Sequence, residues 1–373
     1  MSSRVLIAGG GIAGMSLAIG LQRIGWSAEI VEIDPQWRIY GAGITITGPT
    51  LRALDSLGLL DRVMAEGYCS EATRICDPNG NVIMAARVAG QPLGPRIPNS
   101  GGVLRPVLHR ILADATRASG AVVRLGVSVE TIEQSDGAVA VAFTDGTRGR
   151  YDIVVGADGI HSRLRDMVFP DAPKPVFTGQ GCWRAVVARP PEIDRAHVYV
   201  GPGVKAGLTP VSQSEMYLFL LQHVPDNPRM PAEQWPALLA GQLSGFGGAL
   251  GAVREGLGPS SRINYRPLET LLLPPPWHRG RVLLIGDAAH ATTPHLASGA
   301  GLAVEDALVL CELLRGGLGF EDAFDRFMKR RFDRCRMVVE NSAKLGELEM
   351  RRAPPAEQAE LSRTSQTALA EAI

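Results

Sequence analysis

Val5-Leu6-Ile7-Ala8-Gly9-Gly10-Gly11-Ile12-Ala13-Gly14, followed by Glu29-Ile30-Val31-Glu32, is the stretch on which the architecture turns. Val5 to Ala8 reads as a short buried strand, Ile12 to Ile24 as a helix, and Glu29 to Glu32 as a second strand, which together make a βαβ unit. Gly9, Gly11 and Gly14 form GxGxxG between strand and helix. The missing side chains permit a tight turn, close approach of backbone to a pyrophosphate, and close helix packing. With 43 glycines in 373 residues this pattern arises by chance on the order of half a time per chain, so its context carries the weight. Glu32 supplies that context: it closes the second strand, where a carboxylate can accept both hydroxyls of an adenosine ribose. A ribose without a 2′-phosphate points to FAD or NAD at this site.

The rest of the chain sets the outer limits. It is 45% hydrophobic and 20% charged, a composition that suits two or three globular domains. Lys+Arg and Asp+Glu both number 38, so no surplus of positive charge is present to bind nucleic acid or an anionic membrane, and a small-molecule partner is expected. The apolar run Val5 to Leu21 could be taken for a secretory signal, but Gly9, Gly10, Gly11, Gly14 and Gly20 interrupt it and no cleavage site follows. Cys69, Cys76, Cys182, Cys311 and Cys335 are odd in number and form no CxxC pair. Free thiols in a reducing, cytoplasmic compartment fit that pattern.

Beyond the opening unit, apolar residues recur at helical spacing from Leu104 to Ser119, and short strands follow at 121–125, 138–143 and 151–155. From about 176 to 270 strands alternate between Pro and Gly turns, as in Trp183 to Val187, His197 to Val200 and Met216 to Leu221. This texture predicts an inserted, mostly antiparallel sheet. A buried strand returns at 281–285, residues 303–348 read as helical with a long charged face, and the tail after Pro354-Pro355 reads as frayed or weakly helical. Lys329, Arg330, Arg331, Arg334 and Arg336 are expected on a solvated helix face.

Two further segments repeat the strand, turn, helix theme. Gly156-Ala157-Asp158-Gly159-Ile160-His161-Ser162-Arg163-Leu164-Arg165 places Ser and two Arg after a carboxylate. Val282-Leu283-Leu284-Ile285-Gly286-Asp287-Ala288-Ala289-His290, with Thr293-Pro294 and Gly299-Ala300-Gly301-Leu302, brings a carboxylate, a Pro-broken loop and a helix N-terminus toward one point. His290 and His295 do not share a helical face and show no Cys or carboxylate cluster in the sequence, so no metal site is expected.

Taken together these runs resemble the single-component, FAD-dependent aromatic hydroxylases of the p-hydroxybenzoate hydroxylase type, over roughly residues 4 to 345. The resemblance implies an α/β fold in which a Rossmann-like FAD-binding domain (1–70, 101–175 and 275–345) carries an inserted, mostly antiparallel substrate domain (71–100 and 176–274). C-terminal helices and a tail (346–373) follow. It implies that Gly9, Gly11, Ala13, Gly14, Glu32 and Val129 hold the ADP half of FAD, that Arg105 reaches the pyrophosphate, and that Asp158 lies near FAD and a passing NADH or NADPH. Asp287 would bind the ribityl chain. Pro294 with the backbone through Gly299, Ala300, Gly301 and Leu302 would sit against the isoalloxazine, with Ala42 and Gly43 at its other edge. The chemistry implied is attack of a flavin C4a-hydroperoxide, formed with O2, on an electron-rich phenolic or N-heteroaromatic ring, by a monomer or homodimer.

By similarity to hydroxylases of salicylate, hydroxynicotinate and urate, Lys205, Tyr217 and His295 are expected to face the ring in catalytic roles, with Arg184 and Thr45 nearby. Tyr217 alternates with Met216 and Leu218 and so points to the opposite face of its strand. His295 is the candidate for proton management. Urate-type enzymes carry Asp in place of His295, and some pyridine hydroxylases carry His in place of Thr45, so neither substrate transfers directly. The WxWxIP motif of related halogenases is absent. A reductase or halogenase of the same fold, or a flavin-based sensor without turnover, is the alternative.

Overall fold

The computed structural model describes residues 3–39, 41–86, 93–135, 137–201, 204–228 and 230–373. Its central sheet has six strands in the order His278–Arg279, Val282–Leu284, Ile153–Gly156, Arg4–Ala8, Ser27–Glu32, Val122–Leu125. All neighbours are parallel except the short His278–Arg279 edge. Val5, Leu6, Ile7, Val154 and Leu283 are wholly buried, as required of strands covered on both faces. Helix Ile12–Arg23 covers one face and packs on helix Gly299–Arg315. The approach is close because Gly20 has no side chain: an added Cβ would lie 2.6 Å from Cys311 Sγ.

The second large sheet has seven strands, ordered Arg262–Thr270, Val176–Ala188, Glu215–His223, Val204–Pro210, Ala196–Val200, Thr73–Cys76, Val82–Ala86. It is antiparallel except where Ala196–Val200 meets Thr73–Cys76. Period-two alternation divides its faces. Trp183, Ala185, Ala206, Leu208, Met216, Leu218 and Leu220 form one core with Leu239, Leu243 and Leu250 from two short helices. The opposite face carries Cys182, Arg184, Lys205, Tyr217, Phe219 and Leu221, which the ladder registers set side by side. A three-stranded sheet, Gly43–Thr47, Ser100–Leu104 and Tyr68–Ser70, meets that face through Gly43 and Thr45. The expected α/β class with an inserted, mostly antiparallel sheet is what the chain forms.

Three expectations are corrected. The stretch 303–348 is two helices, Gly299–Arg315 and Phe320–Met350, because Gly316, Gly317 and Gly319 interrupt it and Gly317 takes φ +72°. The tail is not frayed: Pro355–Ala370 is a helix that buries Leu369. Arg52 and Arg334 donate to the carbonyls of Ala370 and Leu369 at 2.7 Å, satisfying its otherwise orphaned C-terminal acceptors. The basic run of 329–336 is not wholly solvated either, since Arg331 is 0% exposed and Arg334 nearly buried. Among the described residues, no helix is long and apolar enough to cross a membrane.

Candidate active site

The first glycine motif divides into positions forced by packing and one that faces open space. Gly9 takes φ +107°, and a Cβ there would lie 2.3 Å from the Ala157 carbonyl oxygen; at Gly14 it would lie 2.0 Å from the Gly9 carbonyl oxygen. Nothing lies within 4 Å of a Cβ built on Gly11. The open position is the N-cap of helix Ile12–Arg23, which receives no side-chain capping bond. Free N–H groups and the positive end of the helix dipole therefore face that space. The Glu32 carboxylate is fixed at the next strand end, accepting from the Gly10 and Asp34 N–H groups, both at 2.8 Å. A cavity of about 400 Å³ opens between them, lined in part by Gly9, Gly11, Glu32, Val129, Asp158 and Arg163. Sequence reading missed Trp37, whose indole N–H donates to the Gly10 carbonyl at 2.8 Å and leaves no room for a side chain at Gly10.

The second motif is tied by its own side chains. Ser162 donates to Asp158 Oδ1 and accepts from the Arg165 N–H at 2.9 Å, while Asp158 Oδ2 accepts from the Leu164 N–H at 3.1 Å. Asp158 thus caps helix Arg163–Val168 and also lines the cavity; burial pushes its carboxyl pKa up, against these hydrogen bonds. Arg165, 1% exposed, donates to the carbonyls of Ile160 and Ala288 and so joins the second motif to the third.

The third motif touches the first directly. Gly286 takes φ +59°, and a Cβ there would come 3.0 Å from the Ala13 Cβ. Its N–H is held by Asp306 Oδ2 at 2.9 Å, which also pairs with His290 Nε2 at 2.6 Å. Asp306 Oδ1 accepts from Arg331 Nε at 2.8 Å, and Glu305 accepts from Arg331 and Arg334. Contrary to the sequence expectation, His290 does stand in a cluster: one ligand-type atom each from His290, Asp306 and Cys335 lies within 4.8 Å of the others. The Arg331 guanidinium brings the compensating charge, so the cluster reads as a buried ion network rather than a cation site. Burial opposes ionisation of Asp306, but His290 and Arg331 more than offset it and hold its pKa at about 2.

Asp287 follows Gly286 and keeps solvent access among otherwise buried neighbours that crowd it. That crowding pushes its carboxyl pKa up, opposed by His290 and Arg105. Pro294 starts a 3-10 turn that ends at Ala297 with φ +50°, and the helix carrying Gly299, Ala300, Gly301 and Leu302 follows with no side-chain cap. Gly301 lets it approach Thr50, where a Cβ would lie 2.4 Å from the hydroxyl oxygen.

The expected ring-facing residues separate into two groups against one sheet face. Tyr217 hydrogen-bonds Thr45 through their hydroxyls at 2.5 Å, with its ring over Gly43 and against Ala42. Burial raises the Tyr217 pKa, so its phenol keeps its proton. Arg105 and Arg184 lie within electrostatic reach at this end, and neither makes a side-chain hydrogen bond or ion pair among the described residues. Burial lowers the Arg105 pKa and Arg184 lowers it further. Lys205 and His295 form the second group, joined by a residue the sequence did not disclose. Glu349 accepts from Lys205 Nζ at 2.8 Å, and its other oxygen lies 3.3 Å from His295 Nε2. His295 is not a solvated loop residue: its side chain is 0% exposed and Nδ1 meets the Thr293 hydroxyl at 2.9 Å. Glu349 sits at the far end of a polar helix, and no local pattern separates it from the surface glutamates around it.

Residues 2–342 match the family model described as FAD binding domain. The chain belongs to that family. It is 32% identical to the putative FAD-dependent monooxygenase YetM of Bacillus subtilis, over 95% of this chain and 96% of that one. It is 34% identical to the 2-heptyl-3-hydroxy-4(1H)-quinolone synthase of Pseudomonas aeruginosa, over 83% and 80%. The structure of Klebsiella pneumoniae HpxO in complex with FAD and uric acid superposes with a TM-score of 0.84 at 25% identity, covering 98% of this chain and 92% of that one. These likenesses make the chain a flavoprotein of the monooxygenase class. The residues fit the cofactor on their own geometry: open space at Gly11, an uncapped helix head and a fixed carboxylate at Glu32 suit an adenosine diphosphate.

Proposed function

We propose that this chain hydroxylates a small phenolic or N-heteroaromatic ring, taking electrons from NADH or NADPH and one oxygen atom from O2. The observation that carries the reading is the physical joining of three distant motifs, Gly286 against Ala13 and Arg165 against Ala288, beside a sheet face that bears Tyr217, Arg184 and Lys205 and is met by Thr45. Bound FAD would supply the redox chemistry. Gly9, Gly11, Ala13, Gly14, Glu32 and Val129 would hold its adenosine and diphosphate, and Arg105, which makes no ion pair among the described residues, would answer the pyrophosphate charge. Asp158 would border both FAD and the nicotinamide. Asp287 would meet the ribityl hydroxyls. Ala42, Gly43, Pro294 and the Gly299 to Leu302 backbone would flank the ring system, the uncapped helix head favouring negative charge there. On this reading 1–70, 101–175 and 275–345 serve the cofactor, and 71–100 with 176–274 serve the substrate.

Tyr217 retains its proton and is already engaged with Thr45, so it orients a substrate oxygen or nitrogen by hydrogen bonding rather than acting as a base. Phe219 lies across Gly207, where a Cβ would fall 2.3 Å from the ring, and gives the face an apolar floor that excludes water. Relatives named for a hydroxybenzoate, an aminohydroxybenzoate, urate and a quinolone support a small-ring substrate without choosing among them. A panel of such rings should include one that accelerates NADH or NADPH oxidation by the FAD-loaded protein and is recovered hydroxylated. A flavin-loaded protein indifferent to every ring and both reductants would refute the reading. Tyr217→Phe should lower product formed per NAD(P)H oxidised severalfold while costing about 1 kcal/mol of stability, a hydrogen bond's typical worth; unchanged coupling would remove Tyr217 from substrate orientation.

A further inference from the structure

Lys205 projects from the ring-facing side of the seven-stranded sheet, in the same ladder row as Leu221 and Cys182. Its ammonium is a group that could neutralise a substrate carboxylate or oxyanion. In the structure that charge is already answered. Gly346 brings the end of helix Phe320–Met350 against the sheet: an added Cβ would lie 2.5 Å from Gln180 Oε1 and 3.1 Å from His295 Cε1. Glu349, three residues further along the same helical face, thereby reaches Lys205 Nζ at 2.8 Å and His295 Nε2 at 3.3 Å. The Glu349 side chain is only 11% exposed, while that of Lys205 remains 36% exposed. A carboxylate in the last helical turn faces the negative end of the dipole and has no basic residue of its own turn to offset it, so the helix gains nothing from it. Its partners lie across the cleft wall instead. Arg105 and Arg184, whose guanidinium groups make no hydrogen bond or ion pair among the described residues, stand at the opposite, Tyr217 end.

We propose that Glu349 is a specificity-determining residue that cancels Lys205, so that the substrate presents an uncharged polar edge, such as a ring carbonyl, amide or hydroxyl, to this end of the site. The inference rests on the ring-binding reading of the cleft given above. A second carboxylate here would meet the Glu349 charge across a shared cation in a partly dry wall, where like charges are strongly disfavoured. A neutral edge can still accept a hydrogen bond from the Lys205 ammonium.

The test uses the full-length, FAD-loaded protein and two ligands of nearly equal shape, 3-hydroxybenzoate and 3-hydroxybenzamide, titrated by the change in the visible absorbance of the bound flavin. Wild type should bind the benzamide at least about tenfold more tightly, the scale of one charge-assisted contact. Glu349→Gln should tighten benzoate about tenfold and move benzamide less than about threefold, whereas Glu349→Asp keeps the wild-type preference. A purely structural Glu349 would instead weaken both ligands together in Glu349→Gln, and that result overturns the proposal. So does a wild-type preference for benzoate, which decides the matter alone if Glu349→Gln loses its flavin. A wild type that prefers benzoate yet oxidises NAD(P)H faster with rings removes only this inference. Bound flavin that responds to neither ligand nor to any other ring removes the ring-binding reading with it.

Discussion

Gly10 and Glu32 hold each other: the carboxylate accepts the Gly10 N–H at 2.8 Å and thereby stands at the rim of the cavity beside Gly11. Replacing Glu32 with Ala removes both the proposed ribose contact and the brace on the turn. FAD should then bind about ten- to a hundredfold more weakly, the loss of one or two charge-assisted hydrogen bonds, as measured by fluorescence titration of apoprotein; wild-type affinity would refute the ribose assignment. Gly9, Gly14 and Glu32 were legible in the sequence because backbone geometry and strand position dictate them locally. Glu349 was not, because its meaning lies in Lys205 and His295, distant in the chain and brought together only by packing. His295 was singled out for its place after Pro294, but a loop position gave no sign that its ring would be fully enclosed.

The helices Gly299–Arg315 and Phe320–Met350 are locked by charges a sequence reading assigns to solvent. Arg331 is 0% exposed between Asp306 and Glu305, and Asp306 also fixes the Gly286 N–H beneath the third motif. A basic run on a charged helix looks the same whether it faces water or buried acids; the complementary Glu305 and Asp306 lie on the neighbouring helix. Because the folded state holds the Asp306 pKa near 2, below the ordinary 3.8, its stabilisation is complete above that ordinary value and fades as pH falls toward about 2. The contribution is on the order of 2 kcal/mol, the scale of a carboxylate held that far below its ordinary acidity. In denaturant unfolding, the stability gap between wild type and Asp306→Asn should therefore narrow by about that amount between pH 4 and pH 2. A gap independent of pH across that range would deny Asp306 its place in the network. The tail shows a related limit: Pro355–Ala370 is polar in sequence, yet Arg52 and Arg334 donate to its last carbonyls and its own Gln366 donates to the Leu296 carbonyl, holding it as a helix against the body of the protein.

Across the whole molecule, periodicity read the two sheets well. Apolar runs marked the buried strands Arg4–Ala8 and Val282–Leu284, and alternation placed Tyr217 opposite Met216 and Leu218. What periodicity could not supply was the relation between the sheets, which decides that Tyr217 meets Thr45 and that Lys205 meets a helix end rather than open cleft. The account as a whole rests on three motifs meeting to grip one dinucleotide at the open space before helix Ile12–Arg23. Gly11 isolates that claim, since a Cβ added there comes within 4 Å of no atom of any other segment and its backbone is not left-handed. The most direct measurement is an FAD titration of Gly11→Leu beside wild type, with thermal unfolding of both apoproteins as the control for folding. The account predicts one FAD per wild-type chain and no measurable uptake by a Gly11→Leu protein that still folds, losing at most about 2 kcal/mol for the poorer helix N-cap. A correctly folded Gly11→Leu that binds FAD with wild-type affinity would contradict it.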